Sequence, residues 1–109
     1  MTGNGWHAAL PLTDVPNGRP HEATIAGVSV LIIRQGNDVY ATTLHCPHKF
    51  GNLAEGTLAG RLLTCPQHTA TFDLATGRPR PGEEWAGNLT TYACRVREGL
   101  VEVQLPALA

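Results

Sequence analysis

Charged residues are scarce in this sequence, and neither sign of charge dominates. Only 16% of the 109 residues are charged, and the formal net charge is −1. Proteins that bind nucleic acid or an anionic membrane by electrostatic attraction carry a clear basic excess, so we expect neither partner. The longest apolar stretch, residues 28–33, is interrupted by Ser29 and is far too short to span a bilayer.

Cysteine is also sparse, and its pattern is not that of a disulfide framework. The chain has three cysteines, an odd number without regular spacing, which agrees with a reducing compartment. Residues 1–6 contain no cationic region followed by an apolar run, so no secretory signal is predicted. We therefore expect a cytoplasmic protein.

Long helical patterns are missing because glycine and proline interrupt the chain throughout. The 12 glycines and 8 prolines leave no segment of ten residues with unbroken helical periodicity. Short β-branched and apolar segments lie between turn residues instead, which predicts an all-β, antiparallel sandwich or barrel. The predicted strands are residues 7–12, 21–25, 28–34, 39–43, 61–64, 69–74, 90–97 and 100–103, the last two forming a hairpin around Glu98 and Gly99.

Two short boxes carry the candidate chemistry. Cys46 and His48 are separated by one residue, and Cys65 and His68 by two. Two cysteines and two histidines on two loops are the ligand set of a Rieske [2Fe–2S] centre. A structural zinc site uses the same residue types, although zinc boxes usually place two to four residues between ligands.

The two boxes and their flanks resemble the Rieske ferredoxin family. The matching features are Leu53 and Gly56 after the first box, and Phe72-Asp73 and Thr76-Gly77 after the second. The resemblance extends from about residue 6 to residue 105. It implies a single Rieske domain over residues 1–109, in which residues 44–84 form a smaller cluster-binding subdomain on a β base.

The resemblance also implies the roles of the ligands. Cys46 and Cys65 would hold one iron, and His48 and His68 the other. Pro47 and Pro66 follow the cysteines and stiffen the two loops, and the loop around Pro81 would cover the cluster. The exposed rim for partner docking would then comprise Lys49, Phe50, Gln67, Thr69 and Pro81.

The function implied by the resemblance is that of a freestanding electron shuttle, not an enzyme. The chain is too short for a catalytic domain with mononuclear iron, and it has no second set of two histidines and a carboxylate. The expected partners are an NAD(P)H-dependent flavin reductase and the terminal oxygenase of a dioxygenase or monooxygenase system, with the carrier itself a monomer. A Rieske-like small subunit of a nitrite reductase is the main alternative.

Departures from the family pattern bear on the reduction potential. Respiratory Rieske proteins have a second cysteine in each box, which pair as a disulfide, whereas this chain has Gly51 and Gln67. Ala70 and Phe72 stand where those proteins have a serine and a tyrosine that donate hydrogen bonds to sulfur. Fewer donors stabilise the reduced cluster less, so we expect a potential at the low end of the Rieske range.

The remaining cysteine and the two tryptophans are expected to be structural. Cys94 alternates with Tyr92 and Val96, which predicts a buried thiol. Trp6 and Trp85 are predicted to be core or edge aromatics rather than parts of an electron path.

Overall fold

The protein is built from antiparallel β-strands joined by short turns, as the sequence predicts. The computed structural model describes residues 5–46, 52–66 and 70–105. Its strands are β1 (Gly5–Pro11), β2 (His21–Ile25), β3 (Val28–Gln35), β4 (Asp38–Thr43), β5 (Thr57–Ala59), β6 (Leu62–Thr64), β7 (Thr71–Asp73), β8 (Thr91–Tyr92), β9 (Cys94–Arg97) and β10 (Leu100–Leu105). In these ranges the helical elements are three-residue 3₁₀ turns at Leu12–Asp14, Leu53–Glu55 and Glu84–Ala86.

The strands form three sheets. One sheet has the order β1-β10-β9, and a second has the order β2-β3-β4-β8. The third sheet is small, has the order β5-β6-β7, and lies within the segment that contains both Cys/His boxes. Every strand pair in the three sheets is antiparallel.

The first two sheets pack face to face around one hydrophobic cluster, which we call the base core. Alternate residues of β3 and β10 point into it, because side chains alternate between the two faces of a strand. Its buried members are Val15, Ile25, Val30, Ile32, Ala41, Val101, Val103 and Leu105. This arrangement is the β-sandwich base expected from the sequence.

Strand β3 is buried on both faces, which explains the continuous apolar run at residues 30–33. Val30 and Ile32 face the base core, whereas Leu31 and Ile33 face a second cluster, and all four are 0% exposed. We call this second cluster the loop core. Its buried members are Leu31, Ile33, Leu44, Cys46, Leu53, Leu63, Cys65, Ala70, Phe72, Leu74, Ala86 and Leu89.

The predicted strand over residues 90–97 is two strands in the structure. The chain breaks at Ala93: β8 pairs with β4, whereas β9 pairs with β10 in the other sheet. The Ala93 carbonyl accepts a hydrogen bond from the Gln104 amide at 2.9 Å. Tyr92 and Cys94 still pack against the base core as their alternation predicts, but Val96 is 38% exposed.

Turn chemistry fixes the hairpin at the C-terminal end of the described chain. Glu98 (φ 53°) and Gly99 (φ 79°) both have positive φ between β9 and β10. Two consecutive residues with positive φ are typical of the two-residue hairpin turns whose twist matches that of the strands. The predicted hairpin is therefore confirmed.

Nowhere in residues 5–46, 52–66 and 70–105 does a helix have the length and apolar character needed to cross a membrane.

Gly77 closes a turn that leads from the third sheet to β8. It has φ 78°, and its carbonyl accepts a hydrogen bond from the Leu89 amide at 2.7 Å. A Cβ atom at this position would lie 2.1 Å from the Leu89 carbonyl oxygen. Gly77 is thus required both for its backbone conformation and for the close approach of residue 89.

We expect Gly77→Ala to destabilise the protein more than Gly99→Ala does. Both glycines have φ near 80°, but a Cβ at Gly99 would meet nothing within 4 Å. The control should therefore lose only about 1–2 kcal/mol from the left-handed backbone conformation, whereas Gly77→Ala adds a backbone clash. Thermal unfolding of the two purified variants measures the difference. Equal melting temperatures would contradict this account of Gly77.

Candidate metal centre

The first Cys/His loop begins at the end of β4 and is closed at its base by backbone pairing. The Leu53 amide donates to the Leu44 carbonyl at 2.9 Å, and His45 forms an antiparallel bridge with Asn52. The Asn52 side-chain oxygen accepts from the Ala54 amide at 2.9 Å, which caps the 3₁₀ turn that follows. Cys46 lies inside this closure and is 0% exposed.

The second loop connects β6 to β7 and is closed in the same manner. The Cys65 amide donates to the Ala70 carbonyl at 2.8 Å. At the adjacent residue pair, where β6 and β7 begin to pair, the hydroxyl oxygens of Thr64 and Thr71 lie 2.9 Å apart. Cys65 is 0% exposed, so each box contributes one completely buried cysteine at the base of its loop.

Gly56 allows the two loop bases to approach each other. It follows the first box, and a Cβ atom there would lie 2.6 Å from the Thr64 carbonyl oxygen and 3.1 Å from the Leu53 carbonyl oxygen. Only glycine permits this approach of one backbone segment to another. Gly56 was part of the family pattern in the sequence, and the structure supplies its physical reason.

Cys46 and Cys65 belong to one hydrophobic cluster, the loop core, although eighteen residues separate them in the sequence. Neither forms a disulfide. Buried cysteine is either a neutral thiol in an apolar core or a metal-bound thiolate. Two such residues, each at the entry of a closed loop and next to a histidine-bearing segment, fit the cysteine half of a two-histidine, two-cysteine cluster site.

The histidine half of the predicted site lies outside the described residues. His48 falls in residues 47–51 and His68 in residues 67–69, so their assignment as ligands stays a prediction. The same holds for the rim residues Lys49, Phe50, Gln67 and Thr69. Within the described ranges, no three His, Cys, Asp or Glu side chains come together as metal ligands would.

A third segment lies against β7 beside the second loop. Residues 80–83, which we call the Pro81 turn, have Pro81 at the second position and Gly82 (φ 92°) at the third, and the Glu83 amide donates to the Arg80 carbonyl at 2.9 Å. This is the pattern of a type II β-turn. Pro81 is exposed, and its place on a docking rim stays a prediction.

Glu83 is a residue that the sequence reasoning missed. Its carboxylate accepts a hydrogen bond from the Thr71 amide at 2.9 Å and pairs with the Arg80 guanidinium, while its side chain is only 14% exposed. The Thr71 amide, followed by Arg80, holds the pKa of Glu83 below its usual range. No local sequence motif predicts this contact, because Glu83 and Thr71 are twelve residues apart and Thr71 contributes its backbone amide.

The residues that replace hydrogen-bond donors are buried in the loop core. Ala70 and Phe72 are both 0% exposed, and neither side chain has a hydroxyl group. The cysteine side of the site is therefore surrounded by apolar groups. A medium of low polarity disfavours added charge, which acts in the same direction as the missing donors.

The sequence predicts a structural role for three further residues, namely Cys94, Trp6 and Trp85. Cys94 is partly buried against the base core, and burial raises the pKa of its thiol to about 12. Trp6 is an edge-strand residue whose ring lies 3.8 Å from the Arg95 guanidinium carbon. Trp85 is 52% exposed in the 3₁₀ turn after the Pro81 turn, so it is not a core aromatic.

Comparison with known proteins supports the family resemblance and the fold. The family model for the Rieske [2Fe-2S] domain matches residues 5–93. The ferredoxin component of the naphthalene 1,2-dioxygenase system of Pseudomonas aeruginosa is 29% identical over 100 residues, covering 92% of this chain and 95% of its own.

Two solved structures show the same architecture. A chain from the complex of reduced oxygenase and oxidized ferredoxin in carbazole 1,9a-dioxygenase superimposes with a TM-score of 0.82 at 29% identity, covering 95% of this chain and 97% of that one. The putative NADH-dependent nitrite reductase small subunit from Mycobacterium tuberculosis gives a TM-score of 0.84 at 21% identity, covering 96% and 98%, which is a likeness of fold alone. The expected Rieske fold is confirmed.

We expect Cys94 to resist alkylation in the iron-loaded protein. With a pKa of about 12, only about one thiol in ten thousand is ionised at pH 8, and the thiolate is the reactive form. Labelling by iodoacetamide, followed by mass spectrometry, should be at least about a hundredfold slower than for an exposed thiol with a pKa of about 8.5. The rate should rise steeply with pH through the alkaline range. Rapid labelling of Cys94 at pH 8 would show that burial does not protect it.

Proposed function

The chain belongs to the Rieske [2Fe–2S] family and is a ferredoxin-type electron carrier, and we propose that it passes single electrons from an NAD(P)H-dependent flavin reductase to the terminal oxygenase of a multicomponent system. The observation that carries this proposal is the burial of Cys46 and Cys65 in one cluster at the bases of two closed loops. The ferredoxin components of dioxygenase systems among its relatives support an oxygenase system as the partner.

The proposed ligands are Cys46 and Cys65 for one iron and His48 and His68 for the other. The [2Fe–2S] cluster supplies one-electron redox chemistry when bound. The described part of the chain contributes two fixed thiol positions, an apolar surrounding that excludes water, and a hydrogen-bonded backbone at the base of each loop. These contributions keep the cysteine side of the site rigid, which favours fast electron transfer because little reorganisation accompanies each step.

Further properties follow from this function. We propose that the chain is a monomer in the cytoplasm and that residues 1–109 form one domain. Residues 44–84 would be the cluster-binding subdomain, and the distinct loop core, which includes both cysteines, supports this division. Contacts with the reductase and the oxygenase would be small and transient, as in other redox encounters.

The nitrite reductase alternative has weaker support. Its structural relative shares 21% sequence identity with this chain, whereas the naphthalene dioxygenase ferredoxin shares 29% over 92% of the chain. Because the Rieske fold serves several kinds of redox complex, likeness of fold does not identify the partner. A stable large catalytic subunit co-purifying with the native protein would favour this alternative.

We expect the purified protein to contain a [2Fe–2S] cluster and to accept one electron per chain. Iron and acid-labile sulfide assays with a dithionite titration measure both. Cys65→Ser should lose the visible absorption of the cluster, whereas the matched control Cys94→Ser should keep it, since Cys94 packs against the base core instead. Stoichiometric zinc in a colourless wild-type protein would refute the proposal.

We also expect a midpoint potential near the low end of the Rieske range, which extends from about −150 to +300 mV. The reason is the apolar burial of Ala70 and Phe72, which provide no side-chain donors to sulfur. Introducing a hydroxyl by Phe72→Tyr should raise the potential, and Leu63→Met, a buried substitution without a donor, serves as the control. Protein-film voltammetry measures all three proteins. A wild-type value far above zero would contradict the hydrogen-bond argument.

A further inference from the structure

The outer edge of β7 is occupied by the chain segment that contains the Pro81 turn. The order of the third sheet, β5-β6-β7, leaves β7 as its last strand. Along that edge the Asp73 amide donates to the Arg78 carbonyl at 2.9 Å, and the Arg80 amide donates to the Thr71 carbonyl at 2.7 Å. Residues 78–80 therefore continue the pairing of the sheet without forming a regular strand.

At the loop end of this edge the pairing changes from backbone to side chain. The Thr71 amide donates to the Glu83 carboxylate at 2.9 Å, because the chain has already turned away at Pro81. Thr71 is the first residue after the second loop, whose base is closed one residue earlier by the Cys65–Ala70 hydrogen bond. Glu83 thus joins the Pro81 turn to the exit of a proposed ligand loop.

The charges around Glu83 favour this contact. Arg80, at the other end of the same turn, is 55% exposed and pairs with the carboxylate, whereas the Glu83 side chain is 14% exposed. A hydrogen bond to a charged acceptor is stronger than one between neutral groups. The lowered pKa of Glu83 keeps this acceptor ionised to a lower pH than the carboxylate of an ordinary glutamate. The contact is therefore a charged clamp on the backbone amide of Thr71, a residue that is 5% exposed.

We propose that Glu83 is a positioning residue for the cluster: its carboxylate fixes the Pro81 turn to the exit of the second loop and so keeps the turn closed beside the cysteine side of the site. This inference rests on the proposed [2Fe–2S] function. When the clamp opens, the turn is released from Thr71 at its loop end, and water gains access to the loop core. Water access hastens cluster loss and stabilises the added charge of the reduced state.

The test compares iron-loaded wild-type protein with Glu83→Ala, Glu83→Gln and Glu84→Ala. Glu83→Ala removes the acceptor for the Thr71 amide, and we expect the oxidised cluster to bleach about tenfold faster in the presence of a chelator. Glu83→Gln keeps an acceptor oxygen, so its rate should stay within about threefold of wild type. Glu84→Ala is the charge-matched control: its carboxylate accepts from the Gly82 amide at 3.2 Å, whereas the Thr71 amide donates to Glu83, so it should bleach like wild type.

Two further measurements separate positioning from a loss of general stability. Hydrogen exchange of the Thr71 amide should accelerate in Glu83→Ala and not in Glu84→Ala. The midpoint potential should rise in Glu83→Ala by more than it does in Glu84→Ala, although both variants lose one negative charge.

The outcomes for the two proposals are distinguishable. If Glu83→Ala and Glu84→Ala bleach at the same rate, or if Glu83→Gln bleaches as fast as Glu83→Ala, the role of Glu83 is refuted while the cluster remains. A wild-type protein that contains no cluster would overturn the proposed function and this inference together.

Discussion

The double burial of β3 is the constraint on which the rest of the structure depends. Val30 and Ile32 pack into the sandwich, and Leu31 and Ile33 pack under the two loops, so one strand belongs to both hydrophobic clusters. The described bases of the two loops therefore pack on the β2-β3-β4-β8 sheet. Because interiors are close-packed, a displacement of β3 would be felt on both sides. This arrangement couples the position of the site to the stability of the sandwich.

The sequence was sufficient for the features that depend on residue type and spacing. The two boxes predicted Cys46 and Cys65 as ligands, and the structure places both in one hydrophobic cluster. The alternation of apolar residues predicted most of the strands. The break at Ala93 was not predictable, because either side of it has strand character and only the tertiary arrangement assigns β8 and β9 to different sheets. The role of Glu83 was not predictable for a related reason. Its partner is the backbone amide of Thr71, and every non-proline residue has such an amide, so the sequence does not indicate which one is bound.

The surroundings of the two cysteines bring structural and redox requirements into agreement. The apolar side chains that exclude water from Cys46 and Cys65 are also those that disfavour additional negative charge, so tight packing and the low potential that we expect have the same origin. A higher reduction potential would require polar hydrogen-bond donors in this region, and each buried donor would need a hydrogen-bond acceptor inside the core. Because Ala70 and Phe72 are apolar, these two positions place no polar group in the core that would need such a partner.

The dependence of the loops on backbone hydrogen bonds accounts for the tolerance of the fold to sequence change. The Leu53–Leu44, Cys65–Ala70 and Arg80–Thr71 bonds are made by main-chain atoms, which any non-proline residue supplies in the donor position. Specific side chains are needed only where backbones approach closely, as at Gly56 and Gly77, or where metal is held. This explains how a relative with 29% identity superimposes with a TM-score of 0.82. Glu83 is different, because there a side chain replaces a backbone partner, and the position of the Pro81 turn becomes sensitive to a single substitution.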